Sequence, residues 1–163
     1  MNIAQFLGDG GDSEVQEEKN TLLLEIVTPY HHFYEGKIES IVLNSLDGDV
    51  GIFPGHEPVV VALTPGITHF QADGNVRFAT LMEGFAEVGP YLVLVVCDAA
   101  EWPDQIDVKR VKSAYARAVK RYHDTTLGAQ ERTYARHSIR RAKMRLKLIS
   151  DHGTEAQKTL LKE

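Results

Sequence analysis

The chain has one cysteine, Cys97, among 163 residues. An intramolecular disulfide and a cysteine-based metal cluster are therefore excluded. Long apolar runs are missing too. The longest, around Leu92–Cys97, has strand length and falls far short of the roughly 18–20 residues of a bilayer-spanning helix. Positive charge is scarce early on. Residues 1–106 hold three basic side chains (Lys19, Lys37, Arg77) against 17 acidic ones, a net of −14. Such a surface repels a nucleic-acid backbone, and no nucleic-acid reading module is visible, so no nucleic-acid partner is expected. The acidic, polar start fits neither a secretory signal nor an Arg-rich transit peptide, and a cytosolic compartment is expected. No Walker-type phosphate loop or dinucleotide fingerprint occurs. Asp47–Gly48–Asp49 lacks the length and Glu spacing of an EF-hand.

What is present is a charge reversal. Residues 107–149 hold 13 basic and three acidic side chains, a net of +10, and residues 150–163 add −1, which gives −5 over the chain. A swing of that size predicts two modules with different surfaces.

The first module reads as β. Segments Leu22–Val27, Phe33–Tyr34, Ile38–Ser45, Val50–Phe53, Val59–Leu63, Ile67–Gln71, Val76–Leu81, Glu83–Val88 and Leu92–Cys97 are short and apolar-rich. They are punctuated by turn groups at Leu46–Gly48, Pro65–Gly66, Asp73–Asn75 and Gly89–Pro90. Asp73–Gly74–Asn75 is a strong hairpin signal. The spacing predicts an antiparallel sandwich or flattened barrel over 21–103. Residues 1–20 are expected to form a flexible extension.

After Trp102–Pro103 the period changes. Val108, Val111, Tyr115, Ala118, Val119 and Tyr122 fall on one helical stripe, with Asp104 or Asp107 as its cap. Asp124–Gly128 stops it. Ala135, Ile139, Ala142, Leu146 and Ile149 then form a second seam. Two helices over 104–150 are predicted to fold back as an antiparallel hairpin, with 151–163 as a flexible tail. One thin seam is not enough burial for such a pair, so the hairpin needs a further surface. Its basic outer faces suit a negative one, and the acidic sandwich is a candidate.

Catalytic material is thin. His31–His32 are adjacent and would point to opposite faces of a strand. His56 and Glu57 sit among Gly and Pro, which indicates a shaped loop. They are the best sites of a rival reading as a sandwich enzyme. No catalytic residue and no metal ligand is assigned. The one chemically suggestive group is in the helices. Arg141 and Arg145 lie one turn apart on one face. A flat hairpin brings them beside Arg110, an arrangement suited to phosphates, with Asp107 or Glu101 near a base or ribose. The alternative is a solvated basic face.

Gly48–Asp49–Val50–Gly51–Ile52–Phe53–Pro54–Gly55–His56–Glu57–Pro58 resembles the characteristic strand and loop of the epsilon subunit of the F-type ATP synthase. Leu24–Pro29, Glu83–Val88, Val93–Val95 and Ala99–Glu101 follow in the family's order, and the resemblance covers Thr21 to Ser150. Glu83 stands where the family usually has a glycine. The resemblance implies an all-β sandwich followed by an antiparallel helical hairpin, and a rotor subunit with no catalysis of its own. Its partners would be the gamma subunit, the c-ring and the alpha/beta head. It would couple proton translocation to ATP synthesis, bound peripherally on the cytoplasmic side of the cell inner or plasma membrane. Asn44 and the loop Pro54, Gly55, His56, Glu57 become candidate gamma and c-ring contacts. Arg136, Arg140, Arg141, Lys143, Arg145 and Lys147 become candidate beta-subunit contacts of an extended hairpin that inhibits hydrolysis. No cofactor is required. Some members bind ATP in the folded hairpin through Ile–Asp–x–x–Arg–Ala and two arginines four apart. Ile106, Asp107, Arg110, Arg141, Arg145 and the upstream Glu101 match, with Val111 in place of the alanine. ATP is thus a candidate regulatory ligand, and a nucleotide-sensing switch is the alternative function.

Overall fold

Among the described residues, alternating apolar residues build ten strands, because every second side chain of a strand points to the same face. They are β1 (Leu22–Val27), β2 (His32–Ile38), β3 (Ser40–Ser45), β4 (Gly48–Ile52), β5 (Val59–Leu63), β6 (Gly66–Ala72), β7 (Asn75–Leu81), β8 (Gly84–Val88), β9 (Leu92–Cys97) and β10 (Ala100–Glu101). The computed structural model describes residues 20–163. The expected N-terminal extension lies, apart from Asn20, outside the described residues.

The strand order is β10-β7-β6-β3-β5-β8-β9-β1-β2, with β4 added on β3. A single residue pair, Ser45 with Leu63, joins β3 to β5, so the sheet folds there into two leaves. Leu22, Leu24, Ile26, Ile41, Leu43, Phe70, Val93 and Val95 fill the space between the leaves and are fully or almost fully buried. Closure on the far side comes from aromatic rings. Tyr34 of β2 meets Phe70 of β6 at 4.6 Å between centroids, and Phe33 stacks on Trp102 at 4.4 Å. The Arg77 guanidinium lies 4.3 Å from the Trp102 ring centroid, a cation–π contact. The result is the predicted sandwich or flattened barrel.

Two local features follow from glycine. Asp73 and Gly74 both have positive φ, 51° and 72°. They close the two-residue β6–β7 hairpin between Ala72 and Asn75, as a primed turn requires. At Gly84 an added Cβ would lie 2.1 Å from the Val96 carbonyl oxygen, so only glycine lets β8 approach β9 there.

The antiparallel expectation fails in one place. β1 and β9 run parallel, Leu23 beside Leu92 to Val27 beside Val96. They are far apart in sequence and no turn signal links them, so local patterning is blind to their direction. β2 is also longer than the predicted Phe33–Tyr34, because pairing with β1 carries it from His32 to Ile38.

After a short 3-10 turn at Pro103–Gln105 come α1 (Val108–His123), α2 (Ala129–His152) and α3 (Glu155–Lys162). Asp107 caps α1, its carboxylate accepting from the Arg110 amide at 3.0 Å. Asp124 ends it, accepting from the Thr126 hydroxyl at 2.6 Å. Those bonds to Thr126 hold the Asp124 carboxyl below its ordinary value. α1 and α2 form the predicted antiparallel hairpin. A second apolar cluster of Ile106, Val108, Val111, Ala142, Leu148 and Ile149 packs against Ile67 and Phe78 of the β6–β7 leaf. The hairpin therefore lies folded on the sandwich.

The flexible tail expected at 151–163 is corrected. α2 runs to His152, and Thr154 caps a further helix with its hydroxyl accepting from the Gln157 amide at 3.3 Å. Thr154 and Gln157 are a capping box, a start signal that a reading for apolar seams overlooks.

Candidate functional site

Helix geometry brings the predicted arginines together. Four residues make about one turn, so Arg141 and Arg145 share the α2 face toward α1, and the antiparallel return sets them beside Arg110. A cavity of about 400 Å³ opens between the helices and β10, lined by Glu101, Asp107, Arg110, Arg117, Arg141 and Arg145 among others. Five of the six candidate nucleotide-binding residues, the three arginines and the two acids suggested by helical spacing, thus share one cavity. Ile106 does not line it, because its side chain turns into the second apolar cluster and is buried. Val111, Ala114 and Ala142 add apolar wall, and Arg117, Gln105 and Ser138 add polar groups that sequence reasoning missed. Arg117 lies two turns beyond Arg110 on the same α1 face, a spacing that could have found it.

The cavity is charge-paired from within. Arg145 bonds to Glu101. Arg141 Nε lies 3.5 Å from Glu83 Oε1, and His137 Nδ1 lies 3.6 Å from the same oxygen. Arg141 Nε is buried and makes no hydrogen bond of good geometry. A guanidinium so placed has donor capacity left for an anion. Arg140 reaches the other way and donates to the Thr64 hydroxyl at 2.9 Å.

The six basic residues proposed for an outside partner therefore divide. Arg140, Arg141 and Arg145 face the chain's own sandwich in this folded form. Lys147 pairs with Asp151 at 2.7 Å, one turn along α2, and that bond lowers the Asp151 carboxyl below its ordinary value. Arg136 lines a second cavity of about 310 Å³ near the hairpin tip with Tyr122, Ala129, Arg132 and Thr133. Lys143 is exposed.

The candidate contacts on the sandwich also separate. Gly55 has φ 81°, and its amide donates to the Pro90 carbonyl at 2.7 Å. That bond seats the Phe53–Pro58 loop on the β8–β9 turn. His56 Nδ1 lies 2.8 Å from the Glu57 carbonyl oxygen. Asn44 is elsewhere. It pairs with Asp49 near the turn end of the β3–β4 ladder, whereas the loop leaves from Ile52 at the opposite end. Its side-chain amide donates to Asp49 at 2.8 Å. Asn44 and the loop do not form one patch.

A surface that sequence reasoning missed lies on the leaf opposite the hairpin. Ala62, Phe85, Val96 and Val27 form one row across β5, β8, β9 and β1, and Leu23 pairs with Leu92 four residues back along β1 and β9. Phe85, Leu23 and Leu92 are exposed, and between the rows run the exposed Val60, then Glu87, Leu94 and Glu25. Outward apolar residues in adjacent strands make a patch of the kind that marks an interface. Among the described residues no cluster of His, Cys, Asp or Glu is suited to a metal ion, and no helix is long and apolar enough to cross a membrane.

Comparison with known proteins gives these features a family. The model of the ATP synthase delta/epsilon chain β-sandwich domain matches residues 21–103. The ATP synthase epsilon chain of Caldanaerobacter subterraneus subsp. tengcongensis is 35% identical over 133 residues, spanning 81% of this chain and 96% of that one. The epsilon chain of Halalkalibacterium halodurans is 36% identical over 126 residues, spanning 77% and 95%. Among solved structures, a chain of the Euglena gracilis mitochondrial ATP synthase (OSCP/F1/c-ring) superposes with a TM-score of 0.69 at 19% identity, covering 90% of this chain and 92% of that one. A chain of the Tetrahymena thermophila mitochondrial ATP synthase central stalk and c-ring gives 0.51 at 15% identity, covering 84% and 99%. At those identities the likeness is one of fold. With the family model and the bacterial relatives in agreement, the chain belongs to the delta/epsilon family of ATP synthase chains.

Proposed function

We propose that the chain is a non-catalytic rotor subunit in the central stalk of an F-type ATP synthase. Its sandwich docks on the gamma subunit and the c-ring and helps couple proton translocation to ATP synthesis. Its hairpin restrains ATP hydrolysis when it swings toward the alpha/beta head. Association with the membrane, on the cytoplasmic side, is peripheral and runs through the complex.

One observation carries the regulatory half. Arg140, Arg141 and Arg145, suited to an acidic partner, are held in this folded form by Thr64, Glu83 and Glu101 of the same chain. These contacts are partly exposed and individually weak, on the order of 1 kcal/mol or less each. A competing acidic surface can therefore take them over, which is what a two-state element requires. The docking half is supported by the apolar Leu23–Phe85–Leu92 face and by the shaped Phe53–Pro58 loop. Both stay uncovered when the hairpin is folded.

A second reading, a nucleotide-responsive switch, is favoured by the cavity itself. About 400 Å³ walled by Arg110, Arg117, Arg141 and Arg145, with Asp107 and Glu101, suits a nucleoside polyphosphate. Ligand bound there holds α2 against α1 and stabilises the folded form by mass action.

The experiment for docking is co-purification with gamma. Phe85→Asp places a charge in the apolar face without touching the core. It should abolish co-purification while the circular dichroism spectrum stays unchanged. Retained binding would remove the proposed face. Calorimetry with ATP separates the second reading. Heat of binding that disappears in Arg141→Ala/Arg145→Ala supports it, and no heat at millimolar ATP removes it.

A further inference from the structure

The C-terminal helix α3 touches α1, α2 and the segment that joins α1 to the sandwich, three parts that separate when the hairpin opens. Its central residue in this respect is Gln157. The Gln157 side-chain carbonyl accepts from the Thr154 amide at 2.9 Å, which closes the N-terminal cap of α3. Its Nε2 donates to the Pro103 carbonyl at 2.8 Å and the Ile106 carbonyl at 2.9 Å. Those two carbonyls flank the short segment between the sandwich and α1, so one amide ties α3 to the hinge with both donors engaged. At the other end of α3, Lys112 of α1 lies with Nζ 3.2 Å from the Leu160 carbonyl oxygen and 3.5 Å from that of Leu161. A cation at a helix C-terminus satisfies the last carbonyls and complements the dipole. Leu160 and Leu161 pack into the cluster of Ile106, Val108, Val111, Ala142, Leu148 and Ile149, which belongs to the hinge, α1 and α2.

We propose that α3 is a clasp that fastens the open end of the hairpin to the hinge and so biases the chain toward its folded form. A helix of eight residues has little stability alone, so its order depends on the surfaces it grips. Moving α2 away from α1 removes those surfaces, and α3 melts as the hairpin opens. Folding and release are then coupled, in the manner of order–disorder switches. The connection is short as well. Gly153 follows α2 directly, and a Cβ there would sit 2.5 Å from the Ile149 carbonyl oxygen. The chain can therefore turn tightly enough for α3 to fold back on the hinge. The proposal concerns the folded form alone and stands whether or not the hairpin restrains hydrolysis.

The test is hydrogen exchange on the full-length chain. Gln157→Glu keeps the capping acceptor of α3 but replaces the two donors with a carboxylate facing two carbonyls. A chain ending at Gly153 removes the clasp outright. Ala156→Gln, at an exposed position in the same helix, is the control and should leave exchange unchanged. In both the substituted and the shortened chain, exchange of α1 and α2 amides should rise by roughly fivefold or more. Amides of the sandwich core such as Leu24 and Val95 should not change. Unchanged helix exchange would overturn the proposal. So would a rise of equal size in the sandwich, which would mark α3 as a general stabiliser rather than a clasp.

Discussion

Glu83, in the turn leading into β8, sets its carboxylate 3.5 Å from Arg141 Nε on α2. The pair joins the two modules across the boundary where net charge changes sign. Glu83 also faces His137, and its second oxygen is buried without a hydrogen-bond partner. Glu83→Gln should therefore loosen the hairpin from the sandwich modestly, by about 0.5–1 kcal/mol, since both partners of the ion pair are partly exposed. Thermal unfolding followed at the helices checks this. The same change releases Arg141 for a ligand. If nucleotide uses this cavity, calorimetry should show tighter binding in Glu83→Gln than in the unaltered chain, and weaker binding would contradict that use.

Ala142 tests the hairpin seam. It is buried between α2 and α1, with 3% of its surface exposed. Ala142→Glu forces a larger, charged side chain into the buried helix seam at the edge of the arginine cavity, an overpacking that costs about 1–3 kcal/mol. The folded hairpin should open while the sandwich persists. Loss of α1–α2 contacts by NMR, with β-sheet contacts intact, is the expected outcome. An unchanged helix–helix pattern would mean that the seam tolerates the charge.

Cys97 gives a prediction in pH. Burial, aided by the nearby Asp98 carboxylate, pushes its thiol from the ordinary 9.0 up to about 11. The folded state favours the neutral thiol, so this contribution is complete below pH 9 and is lost as pH rises through 11. Denaturant unfolding across that window should show stability falling more steeply in the unaltered chain than in Cys97→Ala. Equal slopes would show that the thiol does not ionise on unfolding. At neutral pH the thiol should resist alkylation until the sandwich unfolds.

Local signals carried much of the architecture. Asp73–Gly74, Pro65–Gly66 and the alternating apolar residues placed most strands. Asp107 placed the start of α1. The convergence of Arg110, Arg141 and Arg145 followed from helical spacing and a hairpin turn, so a tertiary site was legible before any fold was known. Other features depended on long-range register. The parallel pairing of β1 with β9, and hence the apolar face built by Leu23, Phe85 and Leu92, needs partners some seventy residues apart. Apolar residues in strands read as core, and nothing local says that one in every pair points outward on an uncovered leaf. Leu148 fell outside the predicted seam because it faces a second surface, toward the sandwich. The family resemblance groups Asn44 with the His56 loop, although the β3–β4 ladder sets them at opposite ends. α3 was read as a tail because eight residues are too few for periodicity, and its order comes from the hinge carbonyls that Gln157 grips.

The central claim is that the basic hairpin restrains the ATPase and is held back by its own sandwich. The most direct measurement is ATP hydrolysis by the assembled alpha/beta/gamma head, with the full chain compared against a chain ending at Trp102. Both should assemble, because the apolar face and the Phe53–Pro58 loop remain. Hydrolysis should be faster with the shortened chain. Equal hydrolysis with both chains bound would contradict it.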